Sequence, residues 1–163
     1  MDDGYIDRYP CALGRLVGNL SSLEWVLRNV LYVVGLPDSA FPEGVSLRTA
    51  KPGERLPLNA LTSWDTLEKL IKAFNQISAT PIDSELKILR DAFAHGRLLG
   101  ADEWDQFALM KFFPPDSNGV VVEARYDLTL EWMNEQIMRV GEAIDIAKAR
   151  LRELQLSPPS RND

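Results

Sequence analysis

Residues 16–34 read Leu16-Val17-Gly18-Asn19-Leu20-Ser21-Ser22-Leu23-Glu24-Trp25-Val26-Leu27-Arg28-Asn29-Val30-Leu31-Tyr32-Val33-Val34, and this stretch decides the fold. Leu16, Leu20, Leu23, Leu27, Val30 and Val34 recur at steps of four and three, which places them on one apolar stripe of a helix covering about 13–34. Gly35 and Pro37 stop it. The following 35–59 carries Pro37, Pro42, Pro52 and Pro57 among glycines, and reads as a long irregular crossover rather than as an element.

The same periodicity returns three more times. Thr62 or Ser63 is placed to cap a second helix whose stripe is Leu67, Leu70, Phe74 and Ile77, ending near Ser78. Thr80 followed by Pro81, with Asp83 in the capping-box position, predicts a third helix from Pro81 with the stripe Ile82, Leu86, Leu89 and Phe93. Gly96 then ends or kinks it. Phe107 to Phe113 and Val120 to Tyr126 are rich in aromatic and β-branched residues, and Pro114-Pro115-Asp116-Ser117-Asn118-Gly119 between them predicts a β-hairpin. Thr129 caps a last long helix with apolar residues at Leu130, Met133, Ile137, Val140, Ile144, Ala147, Leu151 and Leu154. Four helices with one stripe each pack most simply as an antiparallel bundle, so the expected fold is mainly α, with the hairpin inserted before the last helix. One domain over 1–156 is expected, followed by a disordered tail at 157–163 that begins Ser157-Pro158-Pro159.

With 163 residues, 45% hydrophobic and 26% charged, the chain has ordinary globular composition. Met1-Asp2-Asp3-Gly4 is acidic where a signal peptide is basic, and the longest apolar run is too short to span a bilayer. A soluble, cytoplasmic protein without membrane contact is expected. Cys11 is the single cysteine, which excludes an internal disulfide and, with one histidine, leaves no zinc site. No cofactor or metal is implied. A net charge of −6 opposes long-range attraction for polyanions, so any RNA contact is confined to a local cleft and weakens with salt.

Chemistry concentrates in Leu89-Arg90-Asp91-Ala92-Phe93-Ala94-His95-Gly96-Arg97. His95 is the only histidine, and imidazole is the side chain whose unperturbed titration lies closest to neutral pH. Asp91 lies four residues before it on the same helical face, where a carboxylate can fix the tautomer. Arg90 lies five residues before it, roughly 140° around an ideal helix. Arg90 and His95 therefore converge on one phosphate only if the helix distorts at Gly96 or a second copy completes the site across a two-fold axis.

Arg90 through His95 resembles the Arg-x4–6-His motif of the HEPN superfamily. The resemblance implies a helical bundle, commonly dimeric, with the motif late in a bundle helix. It implies a metal-independent endoribonuclease of toxin or defence type, acting through a composite homodimer site. There His95 moves protons at the ribose 2′-hydroxyl and the leaving oxygen, and Arg90 stabilises phosphate charge. Asp91 orients His95, and the products are 2′,3′-cyclic phosphate and 5′-hydroxyl ends. By its position just beyond His95, Arg97 is the better candidate for a second phosphate contact. An antitoxin or other protein partner is also implied. Other members of the superfamily are non-catalytic interaction or ligand-binding modules. The departures here are the hairpin after the motif helix and the acidic charge.

The same residues also have a purely structural reading, in which His95 complements the helix dipole, Gly96 is a left-handed cap and Arg90 is solvated. Elsewhere, Glu24 and Arg28 read as a surface pair, and Glu131 and Glu135 against Lys148, Arg150 and Arg152 read as dipole compensation. Trp25, Trp64, Trp104 and Trp132 read as anchors in the core or a dimer seam, and Asp102, Glu103 and Asp105 as a solvated loop rather than a cation site.

Overall fold

A computed structural model describes residues 8–35, 41, 44–100 and 107–156. The expectations for 1–7, Pro37, Pro42, the acidic cluster at 102–105 with Trp104, and the tail 157–163 lie outside the described residues. In chain order the elements are α1 (Arg8–Val34), α2 (Leu67–Ile77), α3 (Leu86–His95), β1 (Arg97–Gly100), β2 (Phe107–Phe112), β3 (Val122–Asp127) and α4 (Leu130–Leu156). Helix predominates, accompanied by a small antiparallel sheet of order β1-β2-β3. No helix among the described residues is long and apolar enough to cross a membrane.

The stripe on α1 is buried at Leu16, Leu20, Leu23, Leu27 and Val30, and exposed only at its last member, Val34. The helix also begins earlier than its stripe suggests, and Tyr9 is buried near its start. On α4, Thr129 Oγ1 accepts from the Trp132 N–H at 3.1 Å, closing the first turn as its sequence position predicts. Met133, Ile137, Val140, Ala143, Ile144 and Ala147 are buried along it.

The two shorter helices start later than predicted. Thr66, not Thr62 or Ser63, caps α2 by accepting from the Lys69 N–H. The Thr62 hydroxyl is already committed, donating to Pro57 O at 2.6 Å and accepting from the Asn59 N–H at 2.9 Å. Similarly, α3 starts at Leu86 rather than Pro81, because Asn75 on α2 pairs with both backbone groups of Ile82 at 2.8 Å. A residue held by a side-chain amide in this way is not available to the helical ladder.

The predicted hairpin forms from β2 and β3, but it is two-thirds of a sheet whose third strand, β1, follows α3 after one residue. Arg97 pairs with Met110 and Leu98 with Leu109, while Leu109 also pairs with Tyr126. At the hairpin tip Asp116 Oδ1 accepts from the Asn118 N–H at 2.8 Å, and Gly119 takes φ 128°, open to glycine.

The chain divides into two compact units. One is Met1–Ser22 with Ser84–Ala143, and the other is Leu23–Asp83 with Ile144–Asp163. The first contains the sheet and α3, around a core of Tyr9, Ala92, Leu109, Leu128 and Met133. The second contains α2, with Leu67, Leu70, Ile71 and Phe74 buried along its apolar face.

Candidate functional site

His95 is the last residue of α3, and its position is set from below by packing. Leu86, Leu89 and Ala92 are buried on one face of the helix, and Ala92 belongs to the core that includes Leu109 of β2. Gly96 donates its N–H to Ala92 O at 2.7 Å and has φ −76°, so it is extended rather than the left-handed cap of the structural reading. Its lack of a side chain matters for a different reason. A Cβ there would run into the Ala92 carbonyl oxygen and lie 2.9 Å from Leu109 Cδ1 and 3.1 Å from Met110 O. The helix end is therefore seated directly on β2, and the chain passes at once into β1.

The result is an exposed imidazole on a well-fixed backbone. Among the described residues no hydrogen bond or ion pair engages the His95 ring. Arg97 follows on β1, opposite Met110, and its guanidinium lies over the Phe112 ring, 5.5 Å from the centroid. Because alternate side chains leave a strand on opposite faces, Leu98 shares the face of buried Leu109 while Arg97 takes the other.

No hydrogen bond joins Asp91 to His95 among the described residues, and Asp91 pairs with its neighbour on the helix instead. Its Oδ1 is 3.7 Å from Arg90 Nη1, with the two side chains 44% and 32% exposed. It also faces Lys111, whose ammonium feels its negative charge. The Arg90–Asp91 pair is partly exposed and contributes on the order of 0–1 kcal/mol.

Lys111 is the neighbour that reading the sequence missed. Its Nζ donates to Glu123 Oε1 across β2 and β3 at 2.8 Å. That bond, with the charges of Glu123 and Asp91, holds the lysine above its ordinary range against the opposing effect of burial. Arg90, Asp91, Lys111 and Glu123 thus alternate in sign from the helix across the hairpin. The available signal was the alternation Leu109-Met110-Lys111, which puts Lys111 on the face of Leu109, but its meaning depends on strand register.

Among the other candidates, Arg28 is not a simple surface partner of Glu24. Its Nη1 donates to Ala60 O, Ser63 O and Ser63 Oγ at 3.0–3.1 Å, and its Nη2 to Asp65 O at 2.7 Å. Of the tryptophans, Trp132 packs against Tyr126 with ring centroids 5.6 Å apart, whereas Trp25 is half exposed and Trp64 is 98% exposed. Two of the expected anchors are therefore on the surface of the chain. Cys11 is exposed, and among the described residues no group of three or more His, Cys, Asp or Glu side chains could hold a metal ion. No protein-family model matches this sequence, and neither a characterised protein nor a solved structure shows detectable similarity to it.

Proposed function

We propose that the protein is a HEPN-like, metal-independent endoribonuclease whose site is completed by two copies of the chain, each contributing Arg90 and His95. The observation that carries this reading is the His95 ring, exposed at the carboxyl end of α3 and engaged by no described side chain, with Arg97 two residues on. In the proposed reaction His95 accepts the proton of a ribose 2′-hydroxyl, and the 2′-oxygen attacks the adjacent phosphorus. The bond to the 5′-oxygen breaks, giving a 2′,3′-cyclic phosphate, and a second His95 returns a proton to the departing oxygen. Arg90 leaves Asp91 to meet the developing phosphate charge, and Arg97 binds a neighbouring phosphate.

The reading includes an antiparallel arrangement of the four helices and a homodimer. It is supported by the single buried stripe on α1 and by the placement of the motif late in a helix. One observation favours a second reading, a non-catalytic HEPN-like module that binds a protein such as an antitoxin, or a small ligand. Asp91 is turned to Arg90 and Lys111 and leaves His95 without the carboxylate that would fix its tautomer. RNA cleavage in chelator separates the two. His95→Ala is expected to slow it by about 10²–10⁴-fold, and Arg90→Ala by about 10²–10³-fold, with unchanged folding. Equal inertness of wild type and both variants leaves the module reading.

A further inference from the structure

The sheet in the unit Met1–Ser22 with Ser84–Ala143 has two unlike faces. Phe107, Leu109 and Tyr126, which form or pack against the core around Tyr9 and Ala92, all leave the sheet on one side, since Leu109 pairs with Tyr126 and lies two residues from Phe107. No residue of the opposite side belongs to that core. The opposite side carries Arg97, Met110 and Arg125 in one row across β1, β2 and β3, with Phe112 two residues beyond Met110 and Leu99 two residues beyond Arg97. Arg97, Leu99 and Arg125 are exposed, whereas Met110 and Phe112 are half-buried.

This outer face combines flat groups with cationic ones. The Arg97 guanidinium lies over the Phe112 ring, 5.5 Å from its centroid. A guanidinium is flat on both sides, so one seated on a ring can take a nucleobase on its other side while its N–H groups reach a phosphate in plane. Arg125 donates from Nε to Asp127 Oδ1 at 3.1 Å, but the two side chains are 62% and 71% exposed, and such a pair holds an arginine only weakly. Two strand spacings put the Cα atoms of Arg97 and Arg125 roughly 10 Å apart. The register also fixes the place of His95. Going back along β1 from Arg97 runs with β2 toward Phe112, so His95, two residues before Arg97, lies at the Phe112 end of the sheet.

We propose that the outer face of the sheet is a base-stacking subsite for an RNA strand held at His95. One unpaired base lies on the Arg97 guanidinium, which is backed by Phe112 and flanked by Met110, and Arg125 meets the phosphate of a neighbouring nucleotide. Stacking of this kind needs a base with a free face, which a single strand offers and a duplex does not. In a chain of net charge −6, two arginines in one row supply positive charge where the strand would lie. The subsite rests on the RNA chemistry proposed for His95, but its readout is binding rather than cleavage.

The test is fluorescence anisotropy of the full chain with a fluorescein-labelled 2′-O-methyl RNA of mixed sequence, about 12 nucleotides long. That probe lacks the 2′-hydroxyl nucleophile and is bound without being cut. Wild type is expected to bind it with saturation, about fivefold or more tightly than the same strand in a duplex or an abasic strand of equal length. Arg97→Lys keeps the charge and loses the plane, and is expected to weaken binding about fivefold or more with an unchanged salt slope. Arg125→Gln is expected to reduce the log–log salt slope by about 0.7. Circular dichroism checks the folding of both variants. No saturable binding, equal affinity for the duplex or the abasic strand, an affinity indifferent to Arg97→Lys, or a salt slope unmoved by Arg125→Gln overturns the proposal. Binding that meets every expectation in a protein that cuts no RNA would keep the subsite and remove the chemistry given to His95, and cleavage without such binding would do the reverse.

Discussion

Arg28 lies on α1, and its guanidinium satisfies three backbone carbonyls of 60–65 that no regular element pairs. Bonds from a charged donor to partly buried acceptors are stronger than neutral ones, and their removal strands the acceptors. Arg28→Ala is therefore expected to cost about 2–3 kcal/mol in denaturant unfolding. Arg28→Lys should recover little, because an ammonium cannot span the same fork. Gly96 is a second sensitive position. Placing a methyl group between Ala92 O and Leu109 Cδ1 forces α3 off β2, and Gly96→Ala should cost about 1–3 kcal/mol and shift the amide resonances of His95 and Arg97. His95 itself is exposed and makes no bond among the described residues, so removing its ring should leave the melting temperature nearly unchanged. A large loss of stability in His95→Ala would assign the ring a structural role instead.

Among the elements, the long helices were legible in the sequence because their stripes extend over many turns, as Leu16 to Val30 and Met133 to Ala147 show. The starts of α2 and α3 were not. Thr62 has a capping residue's chemistry, but its hydroxyl serves the 57–62 turn. Thr80 fits a cap too, yet its carbonyl accepts from Ser78 Oγ at 2.9 Å while Asn75 fixes Ile82. Such side-chain commitments depend on tertiary neighbours, which local patterning does not encode. The strand β1 was missed because Arg97-Leu98-Leu99-Gly100 has no β-branched or aromatic residue and exists by pairing with β2. Of the candidate site, the motif residues were legible, but the partner of Asp91 was not.

Two ion pairs give these elements opposite pH responses. Asp65 is held below its ordinary value chiefly by the Ser63 hydroxyl, with Lys69 and Arg28 adding to the effect and burial opposing it. Its stabilising contribution is present above the unfolded carboxyl's range and is lost as pH falls through the lower, folded value. Lys111 is held above its ordinary value chiefly by its bond to Glu123. Its contribution is present below the unfolded lysine's range and is lost as pH rises through the higher, folded value. Hydrogen exchange should therefore show the 59–66 segment loosening first in acid and the β2–β3 hairpin first in alkali. Ser63→Ala and Glu123→Gln should each remove the corresponding response.

At the scale of the whole molecule, a net charge of −6 means that any RNA taken by the proposed site is held by local contacts rather than by a general field. Binding through a few phosphates should weaken with salt in a shallow log–log slope, about one unit for each phosphate engaged. A composite site adds a dependence on concentration. Cleavage per chain should fall on dilution if the proposed dimer dissociates, and should stay constant if one chain holds the whole site. The most direct measurement is the analysis of RNA ends after incubation with purified protein in excess chelator. Wild type is expected to leave 2′,3′-cyclic phosphate and 5′-hydroxyl ends, and His95→Ala none. Intact RNA with wild type, cleavage that survives loss of His95, or 3′-hydroxyl and 5′-phosphate ends would contradict it.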